Sequence, residues 1–180
     1  LCNNDIKYHK NDVENWKITL VNTGIETMTG GRIKRVKDYI QNQPFMLTYG
    51  DGVSDVNLKD LLIFHKSHKR AITVTAVQPE GKFGSLDLDD NNKVNSFMEK
   101  PKGDGSWING GFFICEPKVL DYIKDDSTVF EKDPVENLSL EGEMYTFKHK
   151  GFWKCMDTLR DKNLLNEFWE KNNAKWKIWK

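Results

Sequence analysis

The amino-acid sequence predicts an α/β fold with a mixed, mostly parallel sheet. The first observation is that short β-branched runs alternate along the chain with segments of helical spacing, the pattern of helices packed on a sheet. The second is that several runs end in glycine-rich or charged loops, as buried parallel strands do. The third is the composition: 180 residues, 38% hydrophobic and 30% charged, suit one globular domain over residues 1–180. Residues 1–15 are polar and poorly patterned.

Seven segments are predicted to be strands. Trp16–Val21 alternates and is β-branched, Pro44–Thr48 is expected to be a buried parallel strand, and Ile72–Val77 is a third β-branched run. Ser85–Leu88 and Val94–Met98 flank a run of Asp and Asn, which predicts a hairpin. The remaining predicted strands are Trp107–Cys115 and Met144–Lys148.

The predicted helices fall between these strands. The first begins at Gly30 and Gly31, the second is capped by Asp55 or Asn57, and the last spans Thr158–Asn172. Their apolar faces comprise Ile33, Val36, Tyr39 and Ile40 in the first, Leu58, Leu61, Leu62 and Phe64 in the second, and Leu159, Leu164, Leu165 and Phe168 in the last. Shorter helices are expected to begin at Pro117 and at Asp133-Pro134.

Composition and charge exclude several functional classes. The formal net charge is +0, whereas a nucleic-acid-binding protein is usually basic. No apolar run reaches the ~20 residues that a membrane helix needs. Cys2, Cys115 and Cys155 show neither metal-ligand nor redox spacing, which suits a reducing cytoplasm. The sequence contains no evident Ser-His-Asp or Cys-His set for nucleophilic catalysis.

Two aspartates at predicted strand ends are candidates for chemistry. Asp51 lies between two glycines, and Asp157 precedes the last helix. Two such carboxylates can share a divalent cation, since Mg²⁺ prefers a few carboxylates, water and substrate phosphates. The alternatives are local: Asp51 as a turn residue that binds nearby amides, and Asp157 as a helix cap in competition with Thr158.

Two loops carry further candidates, each with a purely structural alternative. In Glu99-Lys100-Pro101 the proline is expected to hold Lys100 extended, so that its ammonium can neutralise a phosphate; the alternative is a solvated surface pair. The loop at 27–32 contains Thr27, Gly30, Gly31 and Arg32. Its amides at a helix start predict an anion or base site, and the alternative is a simple strand-to-helix connection.

The order of these motifs resembles the sugar-1-phosphate nucleotidyltransferases. The matching segments are VNTGIETMTGGRIKRV, TYGDGVSDV, TVTAVQPEGKFGSLDL, FMEKPKGDGSWINGGFF and GFWKCMDTLRD. The pair YGDGVSD and EKPKGDGxWINGG is similar to the cytidylyl branch, the glucose-1-phosphate cytidylyltransferases. The resemblance covers nearly the whole chain from Trp16 and implies a Rossmann-like α/β fold.

The resemblance also implies roles for individual residues. Asp51 and Asp157 would bind Mg²⁺, and Lys100 would contact the sugar phosphate. Glu99, Gly84, Asn109 and Gly110 would form the sugar pocket, and Thr27, Arg32 and Gly50 would lie against the nucleotide. The implied reaction joins CTP and glucose 1-phosphate to give CDP-glucose for surface polysaccharides such as O-antigen. The implied protein is a cytoplasmic homo-oligomer that binds neither nucleic acid nor membrane.

One part of the family pattern has no match in this sequence. The family begins with a strand and a GGxGTR-like loop followed by a lysine, which together bind the triphosphate. We therefore expect an N-terminally incomplete fold that continues upstream of Leu1, and little activity from these 180 residues alone. The alternatives are a truncated, non-catalytic sugar-phosphate-binding or assembly module, another nucleotide or sugar specificity set at Thr27 and Arg32, and an unrelated α/β protein.

Overall fold

The computed structural model describes residues 17–79, 81, 84–100, 102 and 106–178. Helices α1 to α5 span Thr29–Arg35, Lys37–Ile40, Leu58–His68, Asp133–Leu140 and Leu159–Glu170, and a 3₁₀ helix spans Pro117–Tyr122. Strands β1 to β8 span Phe45–Thr48, Gly52–Ser54, Ile72–Val77, Ser85–Leu88, Val94–Met98, Ile108–Cys115, Met144–Lys148 and Trp153–Cys155. The α/β fold predicted from the alternation of elements is confirmed.

Four strands form the main sheet, in the order β1-β6-β3-β7. β3 pairs parallel with β7 and antiparallel with β6, and β6 pairs antiparallel with β1. Three strands therefore run in one direction, while β6 lies between two of them and runs the other way. The mixed sheet is confirmed, but the parallel neighbour expected for Pro44–Thr48 is wrong: β1 is bonded to the antiparallel strand β6 and is only half-buried.

The core lies on the sheet around β3. All six residues of β3 are buried, since the strand has a neighbour on each side and α3 contacts the sheet. The buried cluster comprises Ile33, Ala71, Ile72, Val74, Phe113, Cys115, Val119, Leu120, Ile123, Phe130 and Leu138. Removing this apolar area from water is the main favourable term in the stability of such a domain.

The strand predicted at Trp16–Val21 does not form in residues 17–21. These residues have no regular structure and pair with no strand that the structure describes, and Ile18 and Leu20 are 65% and 78% exposed. A β-branched alternation becomes a strand only when a neighbour supplies backbone hydrogen bonds and a packing surface. Trp16 lies outside the described residues.

Helix α1 begins against the loop at 126–128. The amide of Met28 donates to Asp126 O at 2.8 Å, and those of Gly30 and Gly31 donate to Thr128 O at 2.9 and 3.3 Å. A Cβ atom at Gly30 would lie 2.7 Å from Thr128 O, and one at Gly31 would lie 2.6 Å from the backbone of Asp126. The two glycines are therefore required for close packing. Because three of the amides are already paired, they do not form the anion site that the loop predicted.

The predicted apolar faces of the helices are only partly confirmed. Leu61 and Leu165 are buried, as the helical spacing predicted. Tyr39, Leu58 and Leu159, however, are 59%, 44% and 71% exposed. Each lies in the first or last turn of its helix.

Helix α3 is capped by Asn57 rather than Asp55. The Asn57 side chain accepts hydrogen bonds from the amides of Lys59 and Asp60, which satisfies two of the unpaired donors at the helix start. The helix also buries His65, which is 1% exposed. The sequence analysis did not place this histidine in the core.

A polar network connects α3 to β3. Arg70 N–H donates to His68 Nδ1 at 3.0 Å, so neutral His68 carries its proton on Nε2, which lies 2.7 Å from Thr73 Oγ1. Thr73 Oγ1 is also 2.8 Å from His65 Nδ1, and His65 Nε2 is 3.2 Å from Glu116 Oε1. With both histidines neutral, every donor in this network meets an acceptor.

The sequence analysis missed strands β2 and β8, which it assigned to loops. They pair antiparallel as a short two-stranded ribbon, with Gly52 opposite Cys155 and Ser54 opposite Trp153. Each strand has three residues, too few for a period-2 pattern to be distinguished from a loop. In the part of the chain that the structure describes, no helix combines the length and apolar character that crossing a membrane requires.

The close packing of α1 predicts a specific cost for a side chain at Gly31. Gly31→Ala should lower the free energy of unfolding by at least about 1 kcal/mol, because overpacking outweighs the higher helix propensity of alanine. The matched control is Gly52→Ala, since a Cβ atom there meets nothing within 4 Å. Urea unfolding of both variants measures the difference. Equal stability of the two variants would contradict the packing requirement.

The network around His68 predicts a pH-dependent stability. Desolvation lowers the pKa of His68, and nearby His65 and Arg70 lower it further. The unfolded chain, with a histidine pKa of about 6.5, therefore binds more protons than the folded chain just below that pH. This contribution to stability is complete above about pH 6.5 and is lost as the pH falls. Urea midpoints at about pH 5 and pH 7.5 should differ less in His68→Gln than in the wild type; an equal difference contradicts the assignment.

Candidate functional site

The β2–β8 ribbon brings the two candidate aspartates to the same end. Asp51 directly precedes β2, and Asp157 follows β8 by two residues. The amide of Met156 donates to Asp51 O at 2.8 Å, which extends the ribbon pairing beyond Gly52 and Cys155. The two aspartates, more than a hundred positions apart in the sequence, thereby lie at the same end of the ribbon.

The structure contradicts the purely structural alternatives for these aspartates, a helix cap at Asp157 and a turn residue at Asp51. Thr158 is the N-cap of α5 and forms a capping box with Asp161, so Asp157 is not the cap. Among the described residues, no amide donates to the Asp51 carboxylate, so Asp51 is not the turn residue that binds nearby amides. Asp157 Oδ2 accepts a bond from Cys155 Sγ at 3.0 Å. Desolvation, with the hydrogen bond to Asp157 as a second cause, raises the pKa of the Cys155 thiol.

The two aspartates fit a Mg²⁺ ion that is completed by substrate. No group of three or more His, Cys, Asp and Glu side chains in the described parts of the chain can hold a metal ion. An all-protein cage is therefore not found there. Mg²⁺, however, typically takes one or two carboxylates and obtains its other ligands from water and phosphate groups. Asp51 and Asp157 supply that smaller set.

A second carboxylate and a histidine attach the ribbon to the main sheet. His149 Nε2 lies 2.8 Å from Asp55 Oδ1, and the same oxygen accepts from Phe152 N at 2.7 Å. The amide of His149 donates to Ala76 O at 2.8 Å, at the end of buried β3. The His149 side chain is 11% exposed. Asp55 and His149 therefore connect both strands of the ribbon to the core.

The ribbon is also tied to helix α5. Lys154 Nζ lies 2.5 Å from Asp161 Oδ1, and Asp161 Oδ2 accepts from the Thr158 hydroxyl at 2.7 Å. The hydrogen bonds from Lys154 and then Thr158 lower the pKa of Asp161 to about 2. Asp157 thus lies in a short connection whose two ends are both held.

A bulge in β6 places Asn109 and Gly110 beside the ribbon. Val74 and Ala76 of β3 are opposite Phe113 and Asn109 of β6, so one residue of β3 is matched by three of β6. Two polar groups of the bulge have partners nearby. Gly111 N donates to Asn109 Oδ1 at 2.8 Å, and Trp153 Nε1 donates to Gly110 O at 2.7 Å. Bulges of this kind redirect side chains next to functional sites.

Tyr49 and Glu131 belong to the same region, and the sequence analysis missed both. Tyr49 O–H donates to Glu131 Oε1 at 2.7 Å, and Asn109 Nδ2 lies 3.4 Å from the phenol oxygen. Burial, followed by the bond to Glu131, raises the pKa of Tyr49, and the charge of Asp51 adds to this rise. Glu131 gives no sequence signal, since it lies in an irregular segment more than eighty positions from Tyr49.

The predicted nucleotide residues take different positions on their loop. Thr27 is buried, with 6% exposure. The Arg32 guanidinium donates to Thr23 Oγ1 at 2.7 Å and to Ile25 O at 3.1 Å, and thus bends the segment before α1 back onto the helix. Gly50, by contrast, is open, since a Cβ atom there would meet nothing within 4 Å. Contact of these three residues with a nucleotide stays a prediction.

The remaining predicted residues lie on the β4–β5 hairpin. A Cβ atom at Gly84 would lie 3.2 Å from Glu99 Oε2, so these two residues are brought together. Lys100 Nζ is 3.6 Å from Glu99 Oε1, and both side chains are about 60% exposed. The extended backbone expected for Lys100 is wrong: its φ is 44°, because the chain bends directly after β5. Among the described residues, no hydrogen bond joins this hairpin to the ribbon.

Comparison with known proteins agrees with the fold and the motifs. A family model described as "Nucleotidyl transferase" matches residues 5–171. Glucose-1-phosphate cytidylyltransferase of Salmonella typhi is 49% identical over 180 residues, which are 99% of this chain and 70% of that protein. A protein of Bacillus subtilis described as a "Probable glucose-1-phosphate cytidylyltransferase" is 43% identical over 167 residues, 92% of this chain and 65% of that one.

A solved structure is also similar. HddC from Yersinia pseudotuberculosis matches with a TM-score of 0.59 and 26% identity, over 79% of this chain and 63% of its own. The chain thus spans about two thirds of the length of each of these three proteins. From the family match over residues 5–171 and the 49% identity, the chain belongs to the nucleotidyl transferase family, in its glucose-1-phosphate cytidylyltransferase branch.

Proposed function

We propose that the protein transfers a cytidylyl group from CTP to glucose 1-phosphate, forming CDP-glucose and pyrophosphate for surface-polysaccharide synthesis. The observation that carries the proposal is the pair Asp51 and Asp157 at one end of the β2–β8 ribbon. In a chain 49% identical to the Salmonella cytidylyltransferase, this pair is an arrangement suited to a nucleotide-bound divalent cation.

The chemistry requires positioning more than proton transfer. A phosphate oxygen of glucose 1-phosphate is already anionic at neutral pH, and it attacks the α-phosphorus of CTP. A new P–O bond forms, and the bond between the α-phosphorus and the bridging oxygen breaks, so that pyrophosphate leaves with the electron pair. Two like charges about 4 Å apart repel by about 4 kcal/mol at an effective dielectric of 20. The protein must offset this repulsion and align the reactants.

The proposed roles are those that membership of the family implies for these residues. Asp51 and Asp157 hold Mg²⁺, which when bound neutralises phosphate charge. Lys100 supplies a mobile cation to the sugar phosphate; its 62% exposed side chain can leave Glu99, because an exposed ion pair is worth little. Glu99 and Gly84 contact the sugar hydroxyls beside it, as do Asn109 and Gly110.

The wider assignments belong to the same proposal. Thr27, Arg32 and Gly50 lie against the nucleotide. The protein works in the cytoplasm as a homo-oligomer. In support, Trp169 and Ile178 near the chain end are 50% and 71% exposed and are side chains that a subunit interface would cover. Trp176 instead packs on Phe152, with ring centroids 5.5 Å apart.

Pyrophosphate release from CTP, glucose 1-phosphate and Mg²⁺ tests the proposal. We expect release when this chain is joined to the part of the Salmonella relative that it does not cover, and the 180 residues alone are measured beside it. Asp51→Asn and Asp157→Asn should each lower the rate of the active form at least about a hundredfold, since each removes charge stabilisation at the reacting phosphates. Asp60→Asn, an exposed site on α3, is the matched control.

Two results would contradict the proposed function. One is full activity in both aspartate variants. The other is binding of glucose 1-phosphate without pyrophosphate release in either form of the protein, which is the behaviour of a non-catalytic module.

The attachment of the ribbon by Asp55 and His149 predicts an effect on the metal requirement. His149→Gln should raise the Mg²⁺ concentration needed for half-maximal rate by about 10- to 100-fold, as loss of partners behind metal ligands does. His68→Gln is the matched control, because it makes the same substitution away from the ribbon. A Mg²⁺ titration of the rate measures both, and an unchanged requirement in His149→Gln contradicts the role of the pair.

A further inference from the structure

Glu131 joins two loops that the sequence keeps far apart. Its Oε2 accepts a hydrogen bond from Thr29 Oγ1 at 2.7 Å, and its Oε1 accepts one from Tyr49 O–H at 2.7 Å. Thr29 is the first residue of α1, and Tyr49 lies between β1 and Gly50. One carboxylate therefore connects the nucleotide loop, Thr27–Arg32, to the metal loop, Tyr49–Asp51.

Neither partner can leave this carboxylate without leaving other groups unpaired. Thr29 Oγ1 also accepts from Phe130 N at 2.9 Å, and the Tyr49 phenol oxygen is 3.4 Å from Asn109 Nδ2. The Tyr49 ring is held as well: a Cβ atom at Gly111 would lie 2.5 Å from it. Glu131 thus accepts one hydroxyl hydrogen bond on each of its two side-chain oxygens.

The bridge ends next to the candidate ligands. Tyr49 is two residues before Asp51, and Thr29 lies between Thr27 and Arg32. A displacement of about 1 Å in a reacting group can lower a rate a hundredfold. A rigid connection between these loops would therefore keep the bound nucleotide aligned with the metal, as the proposed reaction requires.

We propose that Glu131 is a positioning residue that sets the distance between the nucleotide loop at Thr27–Arg32 and the metal loop at Tyr49–Asp51. This inference rests on the proposed cytidylyl transfer. Glu131 touches neither substrate; it acts through Thr29 and Tyr49. Its loss misaligns the nucleotide with the metal, while Glu99 and Gly84, the part of the sugar site on the β4–β5 hairpin, bond neither Thr29 nor Tyr49 in the described structure and stay in place.

The first test is a split between kinetic constants. Glu131→Gln keeps the size of the side chain but cannot accept both hydroxyls, so kcat should fall about 10- to 100-fold, with KM for glucose 1-phosphate changed less than about twofold. Glu136→Gln, exposed on α4, is the matched control and should leave both constants unchanged. A lower unfolding midpoint with an unchanged kcat would show a purely structural tie and overturn the proposal.

The second test is a double-mutant cycle across the bridge. Thr29→Val and Tyr49→Phe each remove one of the two hydrogen bonds to Glu131. If the bridge acts as a unit, the double variant loses about as much kcat as either single variant. Losses that multiply would mean that the two hydroxyls act independently, and would overturn the proposal.

A third measurement separates this inference from the proposed function. Hydrogen exchange at the amides of residues 28–32 and 50–52 should accelerate in Glu131→Gln and not in Glu136→Gln, whether or not the protein is active. Unchanged exchange overturns the bridge. Accelerated exchange in a protein that releases no pyrophosphate would instead refute the proposed function, and with it the catalytic purpose of the bridge, while leaving the connection between the loops established.

Discussion

The complete burial of β3 is the constraint on which the rest of the described structure depends. Because all six of its residues are buried, each backbone N–H and C=O must find a protein partner. β6 supplies partners on one edge and β7 on the other, which fixes the direction of both. The sheet is mixed because the two strands that pair with β3 run in opposite directions, β6 antiparallel and β7 parallel to it.

The candidate site lies where this regular pairing is interrupted. The bulge in β6 leaves backbone groups that side chains must satisfy, and Asn109 and Trp153 do so. Trp153 is part of the β2–β8 ribbon, so the bond that repairs the bulge also holds the ribbon carrying Asp51 and Asp157. Polar groups in such partly buried places form networks, since leaving one of them unpaired costs about 1–3 kcal/mol. The same hydrogen bonds therefore satisfy the bulge in the sheet and hold the candidate site in place.

Several candidate residues are used twice, once for structure and once for the proposed chemistry. Asn109 forms hydrogen bonds with Gly111 and Tyr49 in the absence of a sugar. Arg32 likewise forms hydrogen bonds with Thr23 and Ile25 in the absence of a nucleotide. Such residues are held in place in advance, which lowers the entropy that binding must overcome. Lys100 and Glu99 differ, because they are exposed and bonded only weakly to each other. Of the parts of the site, the hairpin is thus the one whose side chains substrate binding would order most.

The sequence by itself determined the α/β class, most strand positions and the candidates Asp51 and Asp157, because hydrophobic period and loop chemistry are local properties. It did not determine whether Trp16–Val21 pairs, that β2 and β8 form a ribbon, or that Glu131 lies between Thr29 and Tyr49. Those features depend on contacts between segments that lie far apart in the sequence, such as Gly52 opposite Cys155 and Thr29 bonded to Glu131. Only the tertiary structure decided them, since a strand needs a neighbouring strand and a partly buried carboxylate needs donors, and neither partner lies next to it in the chain.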